Sequence, residues 1–229
     1  MATSWTLEKE LHSLVKARTV RQALLRLKLI EERDPDPLLQ EVEGWTQEHP
    51  ETFVYRFRIV MPRVTHEVLL KAIVAFSMTK SLVEIAGEWV ARRRLLEGEG
   101  IGTSKLYYAK RAVLVEQFVC DKLSDHLKRC PTERLFDQLI TLAGILERHG
   151  FCPVSPFHGL KTDGRDVLVT DFGQDLGPPG VTSKRNGHLL REAIRWFEKE
   201  SGQKVDKARA RTLYDFRATG GLSEDARWT

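Results

Sequence analysis

Between Thr52 and Met61 the side chains alternate, with Phe53, Tyr55, Phe57 and Ile59 on one parity and Val54, Arg56, Arg58 and Val60 on the other. A period of two sends successive side chains to opposite faces of an extended chain. The aromatic and β-branched content agrees with that period, so the stretch predicts a strand with one apolar face and one face bearing arginines. Pro62 ends it.

Most other apolar residues recur at helical spacing. Leu7, Leu11, Leu14, Val15, Ala23, Leu24 and Leu27 predict one long helix from about Trp5 to Glu32. The Asp34-Pro35-Asp36-Pro37 segment closes it, and a second helix is expected to open near Pro37. A further helix is expected over residues 65–78. Ser81-Leu82-Val83-Glu84 has the form of a capping box for a helix reaching about Leu96. Glu97 to Gly102 reads as a connecting loop. Thr103 or Ser104 then caps a helix expected to extend to about Arg129. Pro131-Thr132 opens another, which Gly150 ends.

After Gly150 the texture changes. Phe151-Cys152-Pro153-Val154-Ser155-Pro156 is extended, and Asp163-Gly164 marks the turn of a hairpin expected between Phe157 and Phe172. Gly173 to Thr182 reads as a loop or linker, followed by helices near Ser183–Glu200 and Val205–Arg217. No internal repeat is present. These segments predict a mainly α fold, a multi-helix bundle with one inserted strand or β-hairpin. Its expected parts are a helical core domain over 1–150, an extended hairpin and linker over 151–182, and a basic helical segment over 183–229.

No apolar run reaches the roughly 18–20 residues that span a bilayer, and the N-terminal segment turns charged at Glu8 and Lys9. The expectation is a non-secreted chain, cytoplasmic or nuclear, with no membrane partner. Cys120, Cys130 and Cys152 make an odd set without close pairing, which favours reduced, buried thiols over disulfides or a zinc site. There is no Gly-x-Ser-x-Gly elbow. The glycines from Gly98 to Gly102 lack the Gly-Lys-Ser/Thr ending of a phosphate loop. No catalytic residue, metal ligand or cofactor is therefore expected.

The charge is more informative. The net +4 divides into −2 over 1–49, +2 over 50–182 and +4 over 183–229, and 22 arginines outnumber 14 lysines. Arginine's planar fork suits phosphate. Arg56 and Arg58 share a strand face, Arg92, Arg93 and Arg94 close a helix, and Lys110 and Arg111 lie on the next. Lys204, Lys207, Arg209 and Arg211 cluster near the C-terminus. The expected function is a non-catalytic helical scaffold touching an RNA or DNA backbone through these residues. Cations at helix C-termini also complement the macrodipole, a structural reason for Arg92 to Arg94. The alternative is a protein–protein adaptor or a self-assembling, coat-like subunit. A second alternative is an atypical phosphotransfer enzyme around His158, Asp163, Asp166 and Asp171.

Several short resemblances accompany these readings. Asp171-Phe172-Gly173 resembles the tripeptide of kinase-like folds, which implies a magnesium-holding aspartate after a short strand. His158-Gly159 is similar to the start of the His-Gly-Asp loop of some small-molecule kinases. Leu160 stands where that loop has its aspartate, and no asparagine follows. The upstream segment reads as helical, where such a fold has a strand lobe with its lysine. Thr19 to Leu27 is similar to the recognition helix of GntR-type repressors, and Leu82 to Ala86 to the first helix of many helix-turn-helix motifs. Val54-Tyr55-Arg56-Phe57, a proline, a helix ending at Ala75-Phe76 and Leu82-Val83-Glu84-Ile85 follow an order similar to rod-shaped plant virus coat proteins. That last resemblance implies self-assembly around RNA.

Overall fold

The computed structural model describes residues 7–49, 51–74, 79–151, 153, 155–173, 176 and 187–220. Its elements are, in chain order, helices α1 (Leu7–Val15) and α2 (Val20–Arg26), strands β1 (Leu38–His49), β2 (Thr52–Met61) and β3 (Val64–Ile73), helix α3 (Leu82–Gly98), and strands β4 (Gly102–Thr103), β5 (Leu106–Lys110) and β6 (Val113–Gln117). Helices α4 (Leu123–Arg129) and α5 (Glu133–Arg148), strands β7 (Lys161–Thr162) and β8 (Val167–Val169), and helices α6 (His188–Ser201) and α7 (Lys207–Ala218) follow. They belong to two units. The first comprises Met1–Glu88 with Lys105–Phe118, and the second Trp89–Ser104 with Val119–Thr229.

The first unit is built on an antiparallel five-stranded sheet of order β1-β2-β3-β6-β5. The alternation in β2 sets its faces as expected: Tyr55, Phe57, Ile59 and Met61 are buried against Leu11, Leu24 and Leu27 of the N-terminal helical segment. The opposite parity carries charge. Arg56 and Arg58 both reach Glu67 of β3, at 2.7 and 2.6 Å, and the Arg56 guanidinium lies 3.7 Å from the centre of the Phe118 ring. Lys71 of β3 pairs with Glu116 of β6 at 2.5 Å, and the glutamate is buried.

This sheet corrects the mainly α expectation, and each correction has a local cause. The long N-terminal helix is broken, because Lys16 turns left-handed and Thr19 caps a new helix by accepting from the Gln22 N–H. The helix expected near Pro37 is β1, and the one expected over 65–78 is β3 as far as Ile73, paired residue for residue with β2 from Met61↔Val64 to Thr52↔Ile73, while residues 75–78 lie outside the described residues. The helix expected from Thr103 toward Arg129 is the β5–β6 hairpin followed by α4. Its turn, Arg111-Ala112, takes positive φ at both central residues, 58° and 79°, with neither Gly nor Asn to signal it. The exposed Cys120 and Cys130 also correct the expectation of buried thiols, while Cys152 lies outside the described residues.

From Ser81 onward the helices follow the sequence more closely. Ser81 and Glu84 form the expected reciprocal cap at the start of α3, whose residues up to Glu88 belong to the first unit and from Trp89 to the second. Thr132 caps α5 by accepting from the Leu135 N–H. Helix α5 is the spine, buried at Leu135 and Phe136 and from Leu139 to Leu146, with α6 and α7 packed against it. Phe136 and Phe197 join it to α6 with ring centres 4.8 Å apart. The expected hairpin turns at Asp163-Gly164, and β8 also pairs in parallel with β4. The linker expected over 173–182 lies, apart from Gly173 and Leu176, outside the described residues.

The closeness of α7 to α5 depends on Gly144, where a Cβ would fall 2.8 Å from the Arg217 Cβ and 2.9 Å from the Tyr214 carbonyl oxygen. At Gly87, in α3, a Cβ would meet nothing within 4 Å. Gly144→Ala is therefore expected to cost about 1–3 kcal/mol through overpacking. Gly87→Ala is expected to gain about 0.5–1 kcal/mol through helix propensity. Denaturant melts of both variants check this, and a neutral Gly144→Ala would contradict the close packing of α5 and α7.

Candidate functional site

The chemistry converges at the end of β8. Val167 and Val169 are buried, and the strand then releases Thr170 and Asp171 into a turn. The Asp171 Oδ1 accepts from the Gly173 N–H at 3.0 Å, an Asx-type turn that orients the carboxylate. Phe172 and Gly173 are buried beneath it.

Two consecutive arginines of α3 hold this turn. Arg92 Nη1 donates to the carbonyls of both Phe172 and Gly173, each at 2.9 Å. Arg93, only 3% exposed, places its guanidinium 5.4 Å from the centre of the Phe172 ring. Its Nε donates to Glu97 Oε1 at 2.8 Å and its Nη2 to Thr103 Oγ1 at 3.0 Å. Thr103 Oγ1 in turn donates to the same Glu97 oxygen at 2.6 Å. One cluster thus ties α3, β4 and the Asp171 turn together.

Beside Asp171 lies a cavity of about 20 Å³ whose walls include Ser155, Gly159, Leu160, Thr170 and Asp171. It admits about one water-sized occupant. Leu160 is buried and its carbonyl accepts from the Leu123 N–H at 3.0 Å, so an apolar side chain fills this position. His158 is exposed. Asp163 is used by its own turn, accepting from the Arg165 and Asp166 N–H groups. Asp166 accepts from Arg134 at 2.6 Å and Gln138 at 2.7 Å. Of the four residues singled out from the sequence, Asp171 alone sets a carboxylate on this cavity.

A single carboxylate with neighbouring hydroxyls suits a small, hard divalent cation that takes its remaining ligands from water and phosphate. It does not suit an all-protein cage, and no cluster of three or more His, Cys, Asp or Glu side chains able to hold a metal occurs among the described residues.

The basic residues expected to contact a phosphate backbone are divided between the units. Arg56, Arg58, Lys110 and Arg111 belong to the first, and Arg92, Arg93, Arg94, Lys204, Lys207, Arg209 and Arg211 to the second. Most have partners within the chain. Arg56 and Arg58 share Glu67, and Arg92 and Arg93 hold the Asp171 turn. Lys204 pairs with Glu198, Arg209 with Glu133 and Asp137, and Arg211 with Asp215. Arg94, Lys110, Arg111 and Lys207 are exposed. The reading of a helical scaffold for nucleic acid is corrected on both counts, since half of the chain is built on a sheet and its arginines are largely committed. The Lys71–Glu116 pair has no signal in the sequence, because Val64–Ile73 carries helical spacing. Charge patterning locates arginines but not their partners, so the Arg92–Arg93 role was equally hidden.

No family model matches the chain, and none of the curated proteins is similar to it. Among solved structures it is similar to the Rio2 kinase from Chaetomium thermophilum, with 14% identity and a TM-score of 0.47 over 82% of this chain and 69% of that one. It is also similar to the ADP/Mg2+–phosphoaspartate complex of the same kinase, with 14% identity and a TM-score of 0.45 over 90% and 72% of the two chains. Likeness this distant assigns no activity. No helix among the described residues is long and apolar enough to cross a membrane.

The carboxylates that brace both units are set for neutral pH. Burial pushes Glu67, Glu99 and Asp166 upward, but hydrogen bonds and charge from Arg56 and Arg58, from Arg148 and His149, and from Arg134 and Gln138 outweigh it and leave each below its ordinary value. A lowered folded-state pKa contributes stability above the unfolded value and loses it as pH falls through the folded one. The melting temperature is therefore expected to hold near neutrality and to fall below about pH 4. Asp166→Asn, which removes one such group, is expected to make that acid slope shallower. An unchanged slope would count against the Arg134–Asp166 bond.

Proposed function

We propose that the second unit binds a phosphorylated ligand of the nucleotide class through a divalent cation held by Asp171, and that the chain is an atypical phosphotransfer protein. The observation carrying this is the Asp171 turn itself. A carboxylate is fixed by its own Asx bond, backed by two arginines on the turn's far carbonyls and aromatic ring, and opened onto a water-sized cavity. Such rigid placement serves binding, because a preorganised group loses little freedom when its ligand arrives.

The cation, when bound, would neutralise phosphate charge, the main electrostatic task in phosphoryl transfer. Asp171 orients that charge, and Ser155 and Thr170 add hydroxyl oxygens along the same wall. Leu160 brings no carboxylate to accept a proton from an attacking hydroxyl. Binding is accordingly expected to be much stronger than turnover.

Thermal melts with ATP and Mg2+ test the reading. Saturating ligand is expected to raise the melting temperature by about 5 °C, and chelation of the metal to abolish the rise. Asp171→Asn keeps an oxygen to accept from the Gly173 N–H, so the unliganded melt is expected to stay near that of the parent. The ligand-dependent rise is expected to disappear. An equal rise in the variant would sink the assignment to Asp171.

A further inference from the structure

A second and larger cavity, of about 310 Å³, lies at the opposite end of β8, where Asp166, Val167 and Leu168 form one wall. Its size falls at the lower end of small-molecule sites. Gln138, Thr141 and Leu142 enter from one face of α5, since residues three and four apart lie together on a helix. Glu97 and the loop Gly100-Ile101-Gly102 close another side. Gly102 is required there, because a Cβ would fall 2.7 Å from the Leu168 Cδ2 and 2.9 Å from the Val167 carbonyl oxygen.

Thr141 lines this cavity and is 6% exposed, yet its hydroxyl has no hydrogen-bond partner among the described residues. A threonine within a helix can satisfy itself on the carbonyl four residues back, as Thr212 does on Ala208 at 3.2 Å. Thr141 does not. A hydroxyl with no partner in the protein can pair with a group that enters the cavity it lines.

The rest of the lining says which partner. Glu97 and Asp166 bring two carboxylates, each with one oxygen taken by an arginine, Arg93 or Arg134. An ionised carboxylate has about four acceptor sites, so capacity to accept remains on both. Gln138 is spent, donating to Asp166 and accepting from the Val167 N–H at 2.6 Å. Acceptors thus outnumber donors, while Ile101, Leu142, Val167 and Leu168 supply apolar walls.

We propose that this cavity binds a small amphipathic amine. Its ammonium group donates to Glu97, Asp166 and the Thr141 hydroxyl, and its apolar body lies against Ile101, Leu142 and Leu168. The site is separate from Asp171 and does not depend on the phosphate reading.

The test uses phenethylammonium and its neutral analogue 2-phenylethanol, titrated into the full chain and followed by amide NMR shifts. The amine is expected to give saturable shifts at Thr141 and Leu168, with at least tenfold weaker binding of the alcohol. Thr141→Val, isosteric but without the hydroxyl, is expected to weaken amine binding about tenfold. Leu142→Trp, which fills the space, is expected to abolish it. No saturable shift with the amine, or equal affinity for amine and alcohol, would overturn the proposal. Should Leu142→Trp fail to fold, Thr141→Val still decides, because undiminished affinity there overturns the proposal as well.

Discussion

The second unit depends on a guanidinium held almost wholly out of solvent, that of Arg93. Arg93 is buried in the middle of α3's path through this unit, and Glu97, Thr103 and the Phe172 ring are partners that make it tolerable there. Removing one partner from a buried charge is far more damaging than removing the whole group. The three contacts are therefore coupled: helix α3, strand β4 and the Asp171 turn keep their places together. Arg92 extends the arrangement to the backbone by closing on the carbonyls of Phe172 and Gly173. The direction of the Asp171 carboxylate follows from that clamp.

The first unit solves a related problem on a sheet. One face of β2, β3 and β6 is apolar and covered by the N-terminal helical segment, and the other carries Arg56, Arg58, Glu67, Lys71 and Glu116. The Glu67 carboxylate serves two arginines at once, and Glu116 is buried against Lys71. These groups specify register as much as they stabilise, because a one-residue slip would carry every one of them to the apolar face. The charge that looked available to an external phosphate is in this way spent on pairing strands.

What could be read from the sequence followed how local each signal is. The period of β2, the caps of α3 and α5, and the Asp163-Gly164 turn are all decided within a few residues, and each is where expected. Strands β3, β5 and β6 are decided by partners farther along the chain. Val64–Ile73 has helical spacing of its own, but pairing with β2 outweighs it. The β5–β6 turn is built from Arg111 and Ala112, which ordinarily avoid positive φ, so nothing in the sequence marks it. Asp171-Phe172-Gly173 was visible as a tripeptide, whereas the arginines that give it meaning lie 80 residues earlier. The unpaired Thr141 hydroxyl is invisible to any pattern, because only the folded neighbourhood shows what it lacks.

The proposed hold of Asp171 on a metal–phosphate ligand is open to a paramagnetic measurement. Mn2+ with a non-hydrolysable nucleotide would be titrated into isotope-labelled protein while amide line widths are recorded. Early, saturable broadening is expected at Thr170, Asp171, Phe172 and Gly173, and it is expected to require the nucleotide. Broadening centred instead on Asp163 or Asp166, or none at the Asp171 turn at saturating ligand, would contradict it.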